Sequence, residues 1–202
     1  MNNYDVIAYI GQFCDWRTFI HLRSTCRKVR ERLPITEIPD HIKLNNKILF
    51  TLPHLKSLNA RNNKSITDAS VSKLTSLTTL DASYNPSITD ASISKLASLT
   101  TLDACRNRSI TDLSVSKLTV LTTLYACNNP SITDLSVRKL TQLTTLDASG
   151  NRSITDVSVS KLAFLTTLYA INNPSITDAS ISKLTNLKSL NARDNHNITI
   201  KR

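Results

Sequence analysis

Seven side-chain amides recur at a fixed interval along this chain: Asn63, Asn85, Asn107, Asn129, Asn151, Asn173 and Asn195, each 22 residues after the last. A row of carboxamides can present an array to a ligand, or it can satisfy backbone groups that folding would otherwise bury unpaired. The same interval carries carboxylates, Asp68, Asp90, Asp112, Asp134, Asp156 and Asp178, which could act as acid/base groups or as helix caps. It also carries two thiols, Cys105 and Cys127, which could be redox partners or metal ligands. For the amides, backbone satisfaction is the better account, since each stands five residues after a leucine of a second fixed column, Leu58 to Leu190. The carboxylates follow Ile-Thr and open a short apolar run, where a cap accepts free N–H groups and opposes the helix dipole. Two thiols without a histidine or further cysteine make a poor metal site. Free thiols and no bound metal are therefore expected.

No catalytic set accompanies these rows. His21, His41, His54 and His196 are scattered, and the sequence holds no G-x-S-x-G, P-loop or H-E-x-x-H. A non-enzymatic chain without a cofactor is expected.

The interval itself dictates the elements that must hold these groups. A fixed period of this length means a solenoid, in which each unit buries its apolar face only against its neighbours. Leu77-Thr78-Thr79-Leu80-Asp81-Ala82-Ser83-Tyr84-Asn85 reads L-x-x-L-x-A-x-x-N. This resembles the core of the leucine-rich repeat, with Ala in the last apolar slot. A short strand is expected at its centre, Leu80 and Ala82 facing inward and Thr79 and Asp81 outward. Ile88, Ile93, Leu96 and Leu99 continue the apolar set; Thr89 or Asp90 can cap a short helix, and Lys95 lies near its C-terminal end. The expected fold is α/β: a leucine-rich repeat solenoid with a parallel concave sheet, short convex helical segments and a helical N-terminal cap. The convex Asp and Lys rows are expected to form a solvated, salt-bridging face. The Ile-Thr-Asp phrase is similar to the repeats of F-box and GALA-type leucine-rich proteins. Upstream, Leu33, Ile38, Leu44, Leu49 and Leu52 fall in the apolar columns, Asn46 in the Asp column and His41 in the Asn column. Residues 34–202 thus comprise one degenerate coil and seven 22-residue coils, the last truncated. Self-pairing of two copies through the uncapped C-terminal edge is an expectation.

With the scaffold columns set aside, irregular positions remain. One outward column reads Asn59, Asp81, Asp103, Tyr125, Asp147, Tyr169, Asn191. Farther on come Arg61, Ser83, Cys105, Cys127, Ser149, Ile171, Arg193 and then Asn62, Tyr84, Arg106, Asn128, Gly150, Asn172, Asp194. Asp81, Tyr84, Asp103, Arg106, Tyr125, Asp147, Tyr169 and Ile171 are the candidate contacts for a protein target, since Tyr and Arg are enriched at interface hot spots. The uniform row Ser57, Thr79, Thr101, Thr123, Thr145, Thr167, Ser189 raises ice binding as a remote alternative.

The net charge is +10, and residues 51–202 carry seventeen Lys/Arg against ten Asp/Glu. An acidic strand face beside a basic rim argues against a nucleic-acid groove, which would be continuously positive. Cysteine usage, the lack of a signal-like start and the lack of a long apolar run lead to the expectation of a cytoplasmic protein, off the membrane.

Residues 1–33 break the period. Val6, Ile7, Ile10 and Phe13 suit one amphipathic helix, and Phe19, Leu22, Cys26 and Val29 a second, started by Asp15. Phe13-Cys14-Asp15-Trp16-Arg17 followed by Leu22-Arg23-Ser24-Thr25-Cys26-Arg27-Lys28-Val29-Arg30 resembles an F-box, without its opening Leu-Pro and with Trp16 at a usual Pro. Such a segment joined to near-identical short repeats resembles proteins encoded by large DNA viruses of amoebae or by protists. The resemblance implies that Ile7, Ile10, Phe13, Trp16 and Leu22 dock on the Skp-type adaptor of a cullin–RING ubiquitin ligase, the solenoid acting as substrate receptor. The alternative is a plain binding scaffold whose N-terminal helices only cap the first coil.

Overall fold

The computed structural model describes residues 44–200. The expected N-terminal helices, and with them Leu33, Ile38 and His41, lie outside the described residues.

Each 22-residue unit makes one coil. An L-x-x-L-x-A core with β-compatible threonines gives a three-residue strand: β1 Ser57–Asn59, β2 Thr79–Asp81, β3 Thr101–Asp103, β4 Thr123–Tyr125, β5 Thr145–Asp147, β6 Thr167–Tyr169 and β7 Ser189–Asn191. The strands pair in parallel in sequence order, with Leu58 beside Leu80, Leu80 beside Leu102 and so on to Leu190. Slipping the register by one residue would turn the whole leucine column out of the core.

The opposite side of each coil is one helical turn: α1 Asn46–Leu49, α2 Asp68–Val71, α3 Asp90–Ile93, α4 Asp112–Val115, α5 Asp134–Val137, α6 Asp156–Val159 and α7 Asp178–Ile181. Four residues cannot sustain a helix in water. Burial and capping hold it instead. In the coil from Leu77, the side chains of Leu77, Leu80, Ala82, Ile88, Ile93 and Leu96 are all fully buried. Thr89, not Asp90, is the cap: its Oγ1 accepts the Ala91 N–H at 3.1 Å, and α4 to α7 repeat the arrangement. In the degenerate first coil Asn45 takes this role, accepting from the Ile48 N–H.

The Asp row has a different task. Asp90 accepts the N–H of Thr111 in the next coil at 2.9 Å, its hydroxyl at 2.6 Å, and the hydroxyl of Ser114. The expected salt-bridging face does not form: among the described residues the one ion pair is Arg193–Asp194, between two exposed side chains. The carboxylates turn along the solenoid axis to hydroxyl and amide donors, leaving the lysines to solvent. Each interior Asn is fully buried, and its Nδ2 donates to three carbonyls of the preceding coil; for Asn107 these are Ala82, Asn85 and Ile88, at 2.7–3.1 Å.

Candidate protein-binding face

The strand face is built from residues whose backbone partners are already fixed by the ladder, so its side chains stand at near-constant spacing. Thr79, Thr101, Thr123, Thr145 and Thr167 form a half-buried row across it. A second threonine row runs beside the first: Thr78, Thr100, Thr122, Thr144 and Thr166 each donate their hydroxyl to the carbonyl of the equivalent residue one coil back, at 3.0–3.1 Å. The row belongs to the scaffold.

The next column separates into two kinds of residue. Asp81, Asp103 and Asp147 each accept the backbone N–H two residues on, at 2.8–2.9 Å, and Asn59 and Asn191 do the same. This Asx turn closes the strand end. The aspartates therefore have a structural task as well as an outward position, which their restriction to Asp and Asn in five of seven coils could have signalled. Tyr125 and Tyr169 have no such oxygen. They stand in register with Asp147 between them and Asp103 on the far side of Tyr125. Burial, then Tyr169 and the two carboxylates, push the Tyr125 hydroxyl pKa up.

At the turn beyond the strand, Tyr84 and Arg106 have φ of 55° and 56°. The other coils fill this left-handed position with Asn62, Asn128, Gly150, Asn172 and Asp194. Asn, Asp and Gly take that conformation most readily, whereas a bulky side chain there is uncommon and costs of order 1 kcal/mol or more. The Tyr84 ring lies between two guanidiniums, Arg61 at 4.9 Å and Arg106 at 5.4 Å. Arg61 was not among the sequence candidates; it belongs to the neighbouring column, and only the turn brings it over the ring. Ile171 is half-buried in that same column, and its carbonyl accepts the Gly150 N–H at 2.8 Å. The solenoid thus gathers Asp81, Tyr84, Asp103 and Arg106 at β2, β3 and the turns that follow them, and aligns Tyr125, Asp147 and Tyr169 farther along. Ile7, Ile10, Phe13, Trp16 and Leu22 lie outside the described residues.

The expectation of free thiols at Cys105 and Cys127 is corrected. Adjacent coils place their Cα atoms 4.6 Å apart in one column, and a disulfide joins them. A second signal missed in the sequence is an exposed aliphatic row on the helix side, Leu113, Leu135 and Val157.

Asp103 is the most perturbed carboxyl of the face. Burial, with Asp81 and Asp147 adding to it, outweighs the Cys105 N–H bond and Arg61 and pushes its pKa up to about 6. The sign follows from linkage. Below the ordinary carboxyl range both folded and unfolded chains hold the proton, and the group costs nothing. Between that range and pH 6 the unfolded chain releases the proton while the folded chain keeps it, so stability falls as pH rises, and above 6 the loss is complete. Allowing for solvent screening at this partly exposed position, the expected loss between about pH 4 and pH 7 is about 1–2 kcal/mol. Asp103→Asn keeps the Asx acceptor and should flatten this part of the stability profile, measured by urea unfolding at both pH values. An unchanged slope would assign the pH dependence elsewhere.

The parallel sheet, the Asn row and the outward, variable strand positions define a leucine-rich repeat solenoid, a fold that serves as a protein-interaction module. Models of the leucine-rich repeat match residues 73–97 and 119–162, the second as two copies, so the chain carries these repeats. It is similar to internalin C2 of Listeria monocytogenes, at 29% identity over 86% of this chain and 76% of that one, with a TM-score of 0.67. The internalin InlF of the same organism gives 29% identity over 80% of this chain and 47% of that one, TM-score 0.60. The yeast Rad7 and Elc1 complex shares the fold at 20% identity, over 67% of this chain and 41% of that one, TM-score 0.54. No curated protein matches the chain in sequence. Among the described residues no helix is long and apolar enough to cross a membrane.

Proposed function

We propose that this chain is a substrate receptor of a cullin–RING ubiquitin ligase, holding a protein target on its concave face and rim while residues 1–33 dock on a Skp-type adaptor. One observation carries the target-binding half. Tyr84 and Arg106 occupy a left-handed position that five other coils give to Asn, Gly or Asp, so the fold gains nothing from them there. Side chains kept at a conformational cost, exposed and stacked with Arg61, are what a recognition surface retains. Tyr125 and Tyr169 extend the surface as aromatic anchors between carboxylates. The adaptor half rests on the F-box resemblance of Phe13 to Arg30.

The double variant Tyr84→Asn, Arg106→Asn separates binding from folding. Both changes relieve left-handed strain and give up exposed cation–π contacts worth about 0.5–1 kcal/mol each, so stability should stay within about 1 kcal/mol of wild type. Capture of target from host-cell lysate should fall at least tenfold, as it should for Tyr125→Ala with Tyr169→Ala. Undiminished capture by both variants would remove the concave face as the binding site. Purified Skp-type adaptor should co-elute with the intact chain and fail to do so when Trp16 and Leu22 are changed to Ala. If the intact chain does not bind the adaptor, the chain is a plain scaffold and the ligase role falls.

A further inference from the structure

The corner where β3, β4 and β5 end gathers soft and hard ligand atoms, among them two sulfurs that the function above does not use. The Sγ atoms of Cys105 and Cys127 and a carboxylate oxygen of Asp147 all lie within 4.8 Å of one another. We propose that this corner is a redox-gated metal site: when the disulfide is reduced, Cys105, Cys127 and Asp147 together bind one divalent cation of the zinc type.

The sequence hid the third ligand. Asp147 stands in a different column from the cysteines, one coil beyond Cys127, and the step across the strand end brings it to them. Zinc takes thiolate at ~2.3 Å and carboxylate at ~2.0–2.2 Å in a tetrahedron, so its ligand atoms sit roughly 3.5 Å apart. The parallel ladder holds β3, β4 and β5 in register, so the adjustment to that spacing falls on the three side chains. One oxygen of Asp147 accepts the Ser149 N–H at 2.8 Å, which orients the carboxylate in the manner of an outer-shell partner and leaves its second oxygen for a cation. Ser149 follows the two cysteines in the same column, and its hydroxyl oxygen is buried with no hydrogen-bond partner. This orphaned hydroxyl, one coil beyond Cys127 in the cysteine column, is a polar group that a water completing the tetrahedron would satisfy. Cys105 is nearly buried, whereas Cys127 and Asp147 are half-exposed and give the ion its route in.

The chemistry balances in two steps. A dithiol reductant supplies two electrons and two protons, the sulfur–sulfur bond breaks, and the reductant leaves as its own cyclic disulfide. The cation then displaces the two thiol protons to solvent as two metal–sulfur bonds form. In the oxidised chain the sulfurs are spent on each other and the site is closed.

The test uses the full chain and cobalt(II) as a spectroscopic probe. Reduced with dithiothreitol and desalted without oxygen, the protein should take up one equivalent, with thiolate-to-cobalt charge-transfer absorption that added zinc removes. The oxidised protein should show none. Cys105→Ser with Cys127→Ser should abolish the band while leaving Cys14 and Cys26 in place. Serine already stands in this column at Ser83 and Ser149, so the variant should fold. Asp147→Asn keeps the Asx acceptor and should weaken cobalt binding at least tenfold. The proposal is overturned if the band persists in the double-serine variant, if the reduced wild type shows none, or if Asp147→Asn binds as tightly as wild type.

Discussion

Asn129→Ala is expected to cost about 4 kcal/mol and to split the solenoid into two weakly coupled halves. The Asn129 side chain is fully buried, and its Nδ2 donates to the carbonyls of Ala104, Asn107 and Ile110 at 3.1, 2.7 and 3.2 Å, while its Oδ1 accepts the Ser131 N–H. Alanine removes all four contacts at once. The Ala104 and Asn107 carbonyls keep the backbone donors Asn107 N–H and Ile110 N–H and each lose one bond worth about 1 kcal/mol, whereas the Ile110 carbonyl loses its side-chain donor at roughly 1–3 kcal/mol, and the vacated volume adds a cavity term. The three carbonyls belong to the coil before, so the loss falls on an interface between coils, the term that makes a repeat array cooperative. Urea unfolding should therefore show a broader transition with a smaller slope as well as a lower midpoint. Asn63→Ala supplies the contrast. Asn63 is only partly buried, and among the described residues its amide donates to one carbonyl, that of Leu44, so a smaller loss of about 1 kcal/mol is expected there. Equal losses at Asn63 and Asn129 would mean that the amide row does not work through the number of carbonyls it satisfies.

The two asparagines also show what a sequence discloses in a solenoid. Leucine, alanine and asparagine columns are legible because one physical demand is repeated seven times, and the parallel sheet, its register and the buried row follow from them. What was not legible depends on contacts between columns. Thr89 and Asp90 are adjacent, and either could cap a helix. Only the axial step to the next coil shows that Thr89 caps its own turn while Asp90 reaches Thr111 and Ser114. The buried serine at positions 70, 92, 114, 136, 158 and 180 was a visible column whose donor role went unread, because its acceptors lie three residues back and one coil back. On the strand face, reading down columns made Asp81, Asp103 and Asp147 look like free recognition groups. Their Asx bonds run along the chain, not down the column, and leave Tyr84, Arg106, Tyr125 and Tyr169 as the residues with no evident scaffold task.

Asp134→Ala should cost about 3 kcal/mol, whereas Asp134→Asn should cost less than about 1 kcal/mol. Asp134 accepts the Thr155 N–H at 2.9 Å and the Thr155 hydroxyl at 2.7 Å, and Thr155 Oγ1 in turn accepts the Val157 N–H that opens α6. The carboxylate thus orients the cap of the following coil, and alanine loses both bonds and loosens that cap. Asparagine can keep the geometry by reversing one donor, as the first coil already does. Asn46 Oδ1 accepts the Thr67 N–H at 2.9 Å, while its Nδ2 donates to Thr67 Oγ1 at 2.9 Å, and Thr67 still caps α2. The charge matters most in acid. Burial raises the Asp68 pKa, but hydrogen bonds from Ser92 and Thr89 outweigh it and leave that pKa below 3.8. Its contribution is therefore complete above the unfolded pKa and is lost as pH falls through the lower folded value. Asp68→Asn should remove that part of the acid sensitivity. Chemical denaturation of the Ala and Asn variants at neutral pH separates the two effects. If Asp134→Asn proved as damaging as Asp134→Ala, negative charge at the helix start, and not the bridge to Thr155, would be what the Asp row provides.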